Sequence, residues 1–91
     1  MKPEARDEAV RAAERVAEAS RAEKGCVSYR FSSDLADPNL FCVFEEWESA
    51  EALDQHMARP HMAEFIGALA GIVGGEAKVM RYEVASSAPL F

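Results

Sequence analysis

Residues 26–49 read CVSYRFSSDLADPNLFCVFEEWES, and their patterning decides the fold. From Val27 the period is two. Val27, Tyr29 and Phe31 alternate with Ser28, Arg30 and Ser32, as in a strand. Asp34, Asp37, Pro38 and Asn39 crowd the stretch from Ser33 to Asn39 with turn formers, so a second, antiparallel strand returns from it. Leu40 to Trp47 is that strand. Phe41, Val43 and Trp47 fall on one side, with Leu40, Cys42 and Phe44 on the other. A strand apolar on both faces is covered on both faces. Helices supply one cover, and the sheet of a second copy is the economical candidate for the other.

On either side of this hairpin the pattern is helical. Residues 4–23 carry Ala5, Ala9, Ala13, Val16 and Ser20 at three- and four-residue steps, with Glu and Arg between them, and Gly25 stops that helix. Ser49 is a natural N-cap for a helix from Ala50 to about Arg59, which Pro60 breaks. A further helix from His61 to about Val73 places Phe65, Leu69, Ile72 and Val73 on an inner face, and Gly74-Gly75 ends it. Ala77 to Val84 alternates again as a last strand, followed by a tail over 85–91. The order helix, strand, strand, helix, strand is α+β. One strand in front would complete β-α-β-β-α-β, the ferredoxin-like arrangement. That first strand is missing from the pattern, because Lys2-Pro3-Glu4 already stands at the helix entrance.

Ninety-one residues make a single domain, 1–91, with a thin core, and 17 of its apolar residues are alanines that gain little from burial. Association with a second copy would bury more surface. A net charge of −6, from 16 acidic and 10 basic residues, repels phosphate backbones and disfavours nucleic acid. The apolar runs fall far short of a membrane span and no secretion segment is evident, so the expectation is a cytoplasmic protein with no membrane role. Cys26 and Cys42 are expected reduced and buried. Neither a CxxC pair nor a GxGxxG loop occurs.

Several short pieces in order carry a resemblance: Glu23-Lys24-Gly25-Cys26 with Tyr29, Asp37-Pro38, Phe44-Glu45-Glu46-Trp47-Glu48-Ser49, His56, and Pro60-His61-Met62. Over residues 3–84 the chain resembles the antibiotic biosynthesis monooxygenase family, and within it the small quinol monooxygenases. The resemblance implies a homodimeric α/β barrel, with a pocket between each sheet and its own helices. It also implies oxidation of phenolic or quinol-type substrates by dioxygen without metal, flavin or other cofactor. A deprotonated substrate of that kind supplies its own electrons, so the protein binds it, removes a proton and stabilises the anion.

His56 is then the candidate proton-transfer residue, since imidazole titrates nearest neutral pH; a histidine that only hydrogen-bonds is the plainer alternative. Tyr29 offers a polar tip to a substrate oxygen, or is a buried tyrosine satisfied by backbone. Trp47 is pocket wall or core. His61, Phe44 and Phe65 complete the candidate substrate-binding set, although His61 also reads as a helix-start hydrogen bond and both phenylalanines as core. One of Glu45 and Glu46 must face inward, with Arg30 or Arg81 as its expected partner. No metal site is expected, because His56 and His61 are five apart across a proline whereas one helical face needs three or four. The sites of better-understood branches are not reproduced. The polyketide-oxidising members' asparagine, tyrosine and arginine fall at Val43, Leu53 and near Gly67, and the haem-degrading members' tryptophan and histidine at His56 and Ile66. Alternatives to an oxygenase are a non-catalytic dimeric small-molecule-binding or stress-response module, and an isomerase.

Overall fold

The computed structural model describes residues 3–71 and 78–91. A short 3₁₀ turn, Pro3–Ala5, leads into α1, Arg6–Arg21. The antiparallel hairpin follows as β1, Cys26–Ser33, and β2, Phe41–Trp47. Two short helices come next: α2, Ala50–Met57, and α3, Pro60–Leu69. The protein is α+β, with its helices on one face of the hairpin.

Alanine decides how α1 packs. Its buried stripe is Ala9, Ala12, Ala13, Val16, Ala17 and Ser20, and side chains this small let the helix axis lie close to the sheet. Asp7 and Glu8 in the first turn and Arg21 in the last complement the helix dipole. Val16 and Ala17 meet Tyr29 of β1 and Met62 of α3 in the core, with Cys26, Phe31, Trp47 and Phe65 packed against that centre. The hairpin turn is held by side chains: Asp34 Oδ2 accepts from the backbone N–H of Ala36 and Asp37 at 2.8 and 3.0 Å. Arg6 Nε donates to Pro38 O at 3.2 Å, which ties the start of α1 to that turn.

Gly25 sets the angle between α1 and the sheet. Its φ is +89°, and a Cβ built on it would stand 2.6 Å from Ala52 Cβ of α2. Its carbonyl accepts from Glu48 N–H at 2.8 Å, so the entry to β1 lies against the exit from β2. Ser49 caps α2 as expected, its Oγ accepting from Ala52 N–H at 3.1 Å. Pro60 does more than break a helix: α2 ends at Met57 and Pro60 opens α3, where its missing N–H costs nothing.

Several expectations are corrected. The pairs Cys26↔Trp47 and Ser28↔Glu46 enclose a bulge at Val27, which turns Val27 out to solvent and brings Cys26 toward the core in its place. The outer face of β2 is not covered by the chain's own described elements: Cys42, Phe44 and Glu46 are exposed there, the face for which a second copy is the expected cover. Cys42 is therefore not buried, though both thiols are unpaired. Residues 78–84 form no strand, because a strand exists only where a neighbour exchanges hydrogen bonds with it, and among the described residues β1 and β2 pair only with each other. Ile72, Val73, Gly74-Gly75 and Ala77, expected in the inner helix face, the helix stop and the last strand, lie outside the described residues. No described helix is long and apolar enough to cross a membrane.

Replacing Gly25 by alanine combines a left-handed backbone with a clash against α2. Gly25→Ala is expected to lower the unfolding free energy by roughly 2–4 kcal/mol, read from urea denaturation. An unchanged midpoint would contradict this account of the α1–sheet junction.

Candidate functional site

The turn that follows α1 carries Glu23, one residue pair before Gly25, and the close approach of Gly25 to Ala52 delivers that carboxylate to α2 and α3. Glu23 Oε2 lies 2.6 Å from His56 Nδ1 and 2.7 Å from His61 Nε2, while Arg59 Nε is 3.3 Å from Oε1. The Glu23 side chain is 6% exposed, that of His56 fully buried, and that of His61 24% exposed. The two histidines come together because Pro60 starts a new helix. They occupy different helices, one in the last turn of α2 and the other in the first turn of α3, so the single-face spacing rule does not apply to them.

Aromatic rings enclose His56. Trp47 lies with its ring centroid 4.5 Å away and Tyr29 at 5.4 Å. The second imidazole nitrogen, Nε2, is buried without a hydrogen-bond partner among the described residues. The nearest carboxylate oxygen to it, Glu45 Oε1, stands 3.6 Å away and accepts from Trp47 Nε1–H at 3.1 Å. Glu45 thus faces inward without Arg30 or Arg81. Arg81 instead lies 3.8 Å from Asp54 and 3.9 Å from Glu83, and Glu46 accepts from Ser28 Oγ on the outer face.

The titration of these groups follows from their surroundings. Burial by itself would raise the Glu23 carboxyl, but hydrogen bonds from His56 and His61 and the charges of both rings outweigh it, and the group titrates below its ordinary value. Tyr29 is pushed up to about 12, first by burial and then by the Glu45 charge, with the neighbouring Ser20 hydroxyl acting the other way. Its phenol stays protonated at neutral pH and keeps its hydrogen to donate. Burial and the charges of Glu23 and Glu45 raise the Cys26 thiol, so it is a poor nucleophile.

Of the residues singled out in the sequence, Tyr29, Trp47, His56 and His61 form one cluster. Phe65 joins it at one remove, through Phe31, whose ring is 5.8 Å from Phe65 and 5.9 Å from Tyr29. Phe44 is not there: it sits on the outer sheet face, 63% exposed. A cavity of about 500 Å³ opens between α1 and the hairpin, lined by Val10, Ala13, Phe31 and Phe41, with Arg6 and Arg21 at its polar side. None of His56, His61 or Trp47 lines it, and Phe31 is the wall it shares with the aromatic cluster. Sequence reading missed Glu23 as a site residue. The one available signal was a carboxylate two positions before a glycine that ends a helix.

Glu23 binds its proton less readily folded than unfolded, so its contribution to stability is complete above the ordinary carboxylate value of 4.5 and is lost as pH falls through the lower folded value. Glu23→Gln is expected to be less stable than the native chain by about 2 kcal/mol at pH 7. That gap should close below pH 4.5 in denaturation curves collected across pH. A gap independent of pH would show that the carboxylate's charge is not what the histidines hold.

Comparison with known proteins places the fold. Residues 1–68 match the family model described as antibiotic biosynthesis monooxygenase. A Synechocystis protein described as uncharacterized, sll1783, is 32% identical over 90 residues, covering 99% of this chain, which in turn spans 61% of that protein's length. YcnE of Bacillus subtilis, provisionally named a monooxygenase, is 27% identical over 92% of this chain and 88% of its own. Among solved structures, a Deinococcus radiodurans protein given the same provisional family name superimposes with a TM-score of 0.92 at 28% identity, over 99% of this chain and 89% of its own. With the α+β fold and the family model matching three quarters of its length, the chain belongs to the antibiotic biosynthesis monooxygenase family.

Proposed function

We propose that the protein is a cofactor-independent monooxygenase acting on a quinol or related reduced aromatic, with His56 as the general base. The observation that carries this reading is the buried imidazole whose Nδ1 is held 2.6 Å from Glu23 while Nε2 has no hydrogen-bond partner among the described residues, between Trp47 and Tyr29. An Nδ1–H donated to Glu23 leaves the lone pair on Nε2, and the carboxylate stabilises the imidazolium once a proton arrives, as the third member of a catalytic triad does. A flat substrate reaches Nε2 by displacing or stacking on Trp47. His56 takes the acidic proton of a phenol or of an activated ring CH₂. The resulting carbanion or phenolate gives one electron to dioxygen, the two radicals combine, and loss of water leaves a carbonyl. The balance is ring CH₂ + O₂ → ring C=O + H₂O, with both the electrons and the proton accounted for by the substrate.

The provisional name of YcnE and the match to the family support an oxygenase. A second reading, a small-molecule-binding module without turnover, is favoured by one observation: the 500 Å³ cavity excludes His56. Oxygen-electrode assays with a reduced naphthoquinol or an anthrone separate the two. Uptake well above the protein-free rate is expected, falling at least about a hundredfold in a folded His56→Ala variant. If none of these substrates consumes oxygen faster with protein than without it, the oxygenase reading fails; thermal stabilisation by the same compounds would then support the binding module.

We further propose a homodimer joined through the outer sheet face, where Phe44 and Val27 are exposed, together with Val79, Met80, Tyr82 and Val84 of the C-terminal segment. The mass in light scattering at micromolar concentration is expected to be twice that of the chain, and Phe44→Glu is expected to shift it toward the monomer. A monomeric native chain would refute this assembly.

A further inference from the structure

We propose that Glu23, His56 and His61 together bind one divalent transition-metal ion of the zinc type, with water completing its coordination. This goes beyond the oxygenase reading and does not depend on it.

The donor atoms are Glu23 Oε2, His56 Nδ1 and His61 Nε2, and all lie within 4.8 Å of one another. They come from the turn after α1, from α2 and from α3, so packing rather than local sequence aims them at one point. Two imidazoles and one carboxylate are a donor set that holds zinc with one position left open. Zinc bonds of about 2.0–2.1 Å in tetrahedral geometry place ligand atoms roughly 3.3 Å apart. The observed separations from Oε2 are 2.6 and 2.7 Å, and all three donors lie within 4.8 Å of one another. For an ion to replace the two bridging hydrogens, the carboxylate retreats by about 0.6–0.7 Å and the two imidazole nitrogens adjust to about the same spacing. Arg59 occupies Oε1 at 3.3 Å, which leaves Oε2 as a single-oxygen ligand.

The surrounding charges favour a cation. Glu23 and Glu45 bring two negative charges, and Arg59, whose side chain is 47% exposed and solvent-screened, returns one. The partnerless Nε2 of His56 fits as well. An ion on Nδ1 puts the hydrogen on Nε2, and Glu45 Oε1, now 3.6 Å away, is the carboxylate placed to accept it. That is the carboxylate–histidine–metal arrangement which orients metal-bound imidazoles. The partial exposure of His61 gives the open position a path to solvent. The metal-loaded and base-competent forms of His56 exclude each other, because one places a hydrogen on Nε2 and the other a lone pair. Bound metal therefore silences the oxygenase step if that step exists.

The test is titration of the chelator-stripped full chain with Co²⁺ and then Zn²⁺. One equivalent of Co²⁺ per chain is expected, with the intense visible ligand-field bands of a four- or five-coordinate ion, and Zn²⁺ should abolish them. In competition with a chromophoric chelator, His61→Ala and Glu23→Gln are each expected to weaken zinc binding at least tenfold, while Cys26→Ser and Cys42→Ser leave it unchanged. Should a variant fail to fold, imidazole ¹⁵N shifts of the native chain give the same answer: Zn²⁺ should move His56 Nδ1 and His61 Nε2. A Co²⁺ spectrum indistinguishable from the hexa-aquo ion, unmoved imidazole nitrogens, or unaltered zinc affinity in folded His61→Ala overturns the site. These readouts involve no oxygen consumption, so their failure is distinct from failure of the oxygenase reading.

Discussion

One carboxylate oxygen, Glu23 Oε2, accepts from two imidazoles on two different helices, and the placement of everything around it depends on that junction. A carboxylate so little exposed needs compensation for its lost hydration, and it is met by His56, His61 and Arg59. Those partners lie in α2, α3 and the link between them. The turn after α1 is thereby tied to the two helices that complete the helical layer. Gly25 makes the tie reachable, since any side chain there would hold Ala52, and α2 with it, away from the sheet.

The core that this junction closes is thin. α1 contributes mainly alanines, and the large buried side chains are Tyr29, His56, Val16 and Met62. A fully buried imidazole needs a polar partner in so small a core, and Glu23 supplies it. The outer face of the hairpin presents Ser28, Arg30 and Ser32 beside Cys42, Phe44 and Glu46.

Aromatic contacts run from Phe65 through Phe31 and Tyr29 to Trp47 and His56. This chain of rings separates the cavity beneath α1 from the imidazole pair. Beside the family membership stands a ring cluster that holds an imidazole against a carboxylate. The 500 Å³ cavity lies on the other side of Phe31, apart from that imidazole.

Period and punctuation alone determined the secondary structure over most of the chain. Alternation from Val27 marked β1, the turn formers at 34–39 marked the reversal, and Ser49 and Pro60 marked helix starts, because these signals are local properties of backbone and side chain. The cluster of Tyr29, Trp47, His56 and His61 was also legible, as separate candidates of uncertain relation. Tertiary structure alone decided three things. The bulge at Val27 exchanged it for Cys26 in the core, which depends on how two strands register. Residues 78–84 remained unpaired, since alternation gives a segment the capacity for a strand but not a neighbour. Glu23 became the centre of the candidate site, because its place two residues before Gly25 does not say which helices its carboxylate will meet. Only the turn at Gly25 and the restart at Pro60 bring two histidines from different helices onto one oxygen.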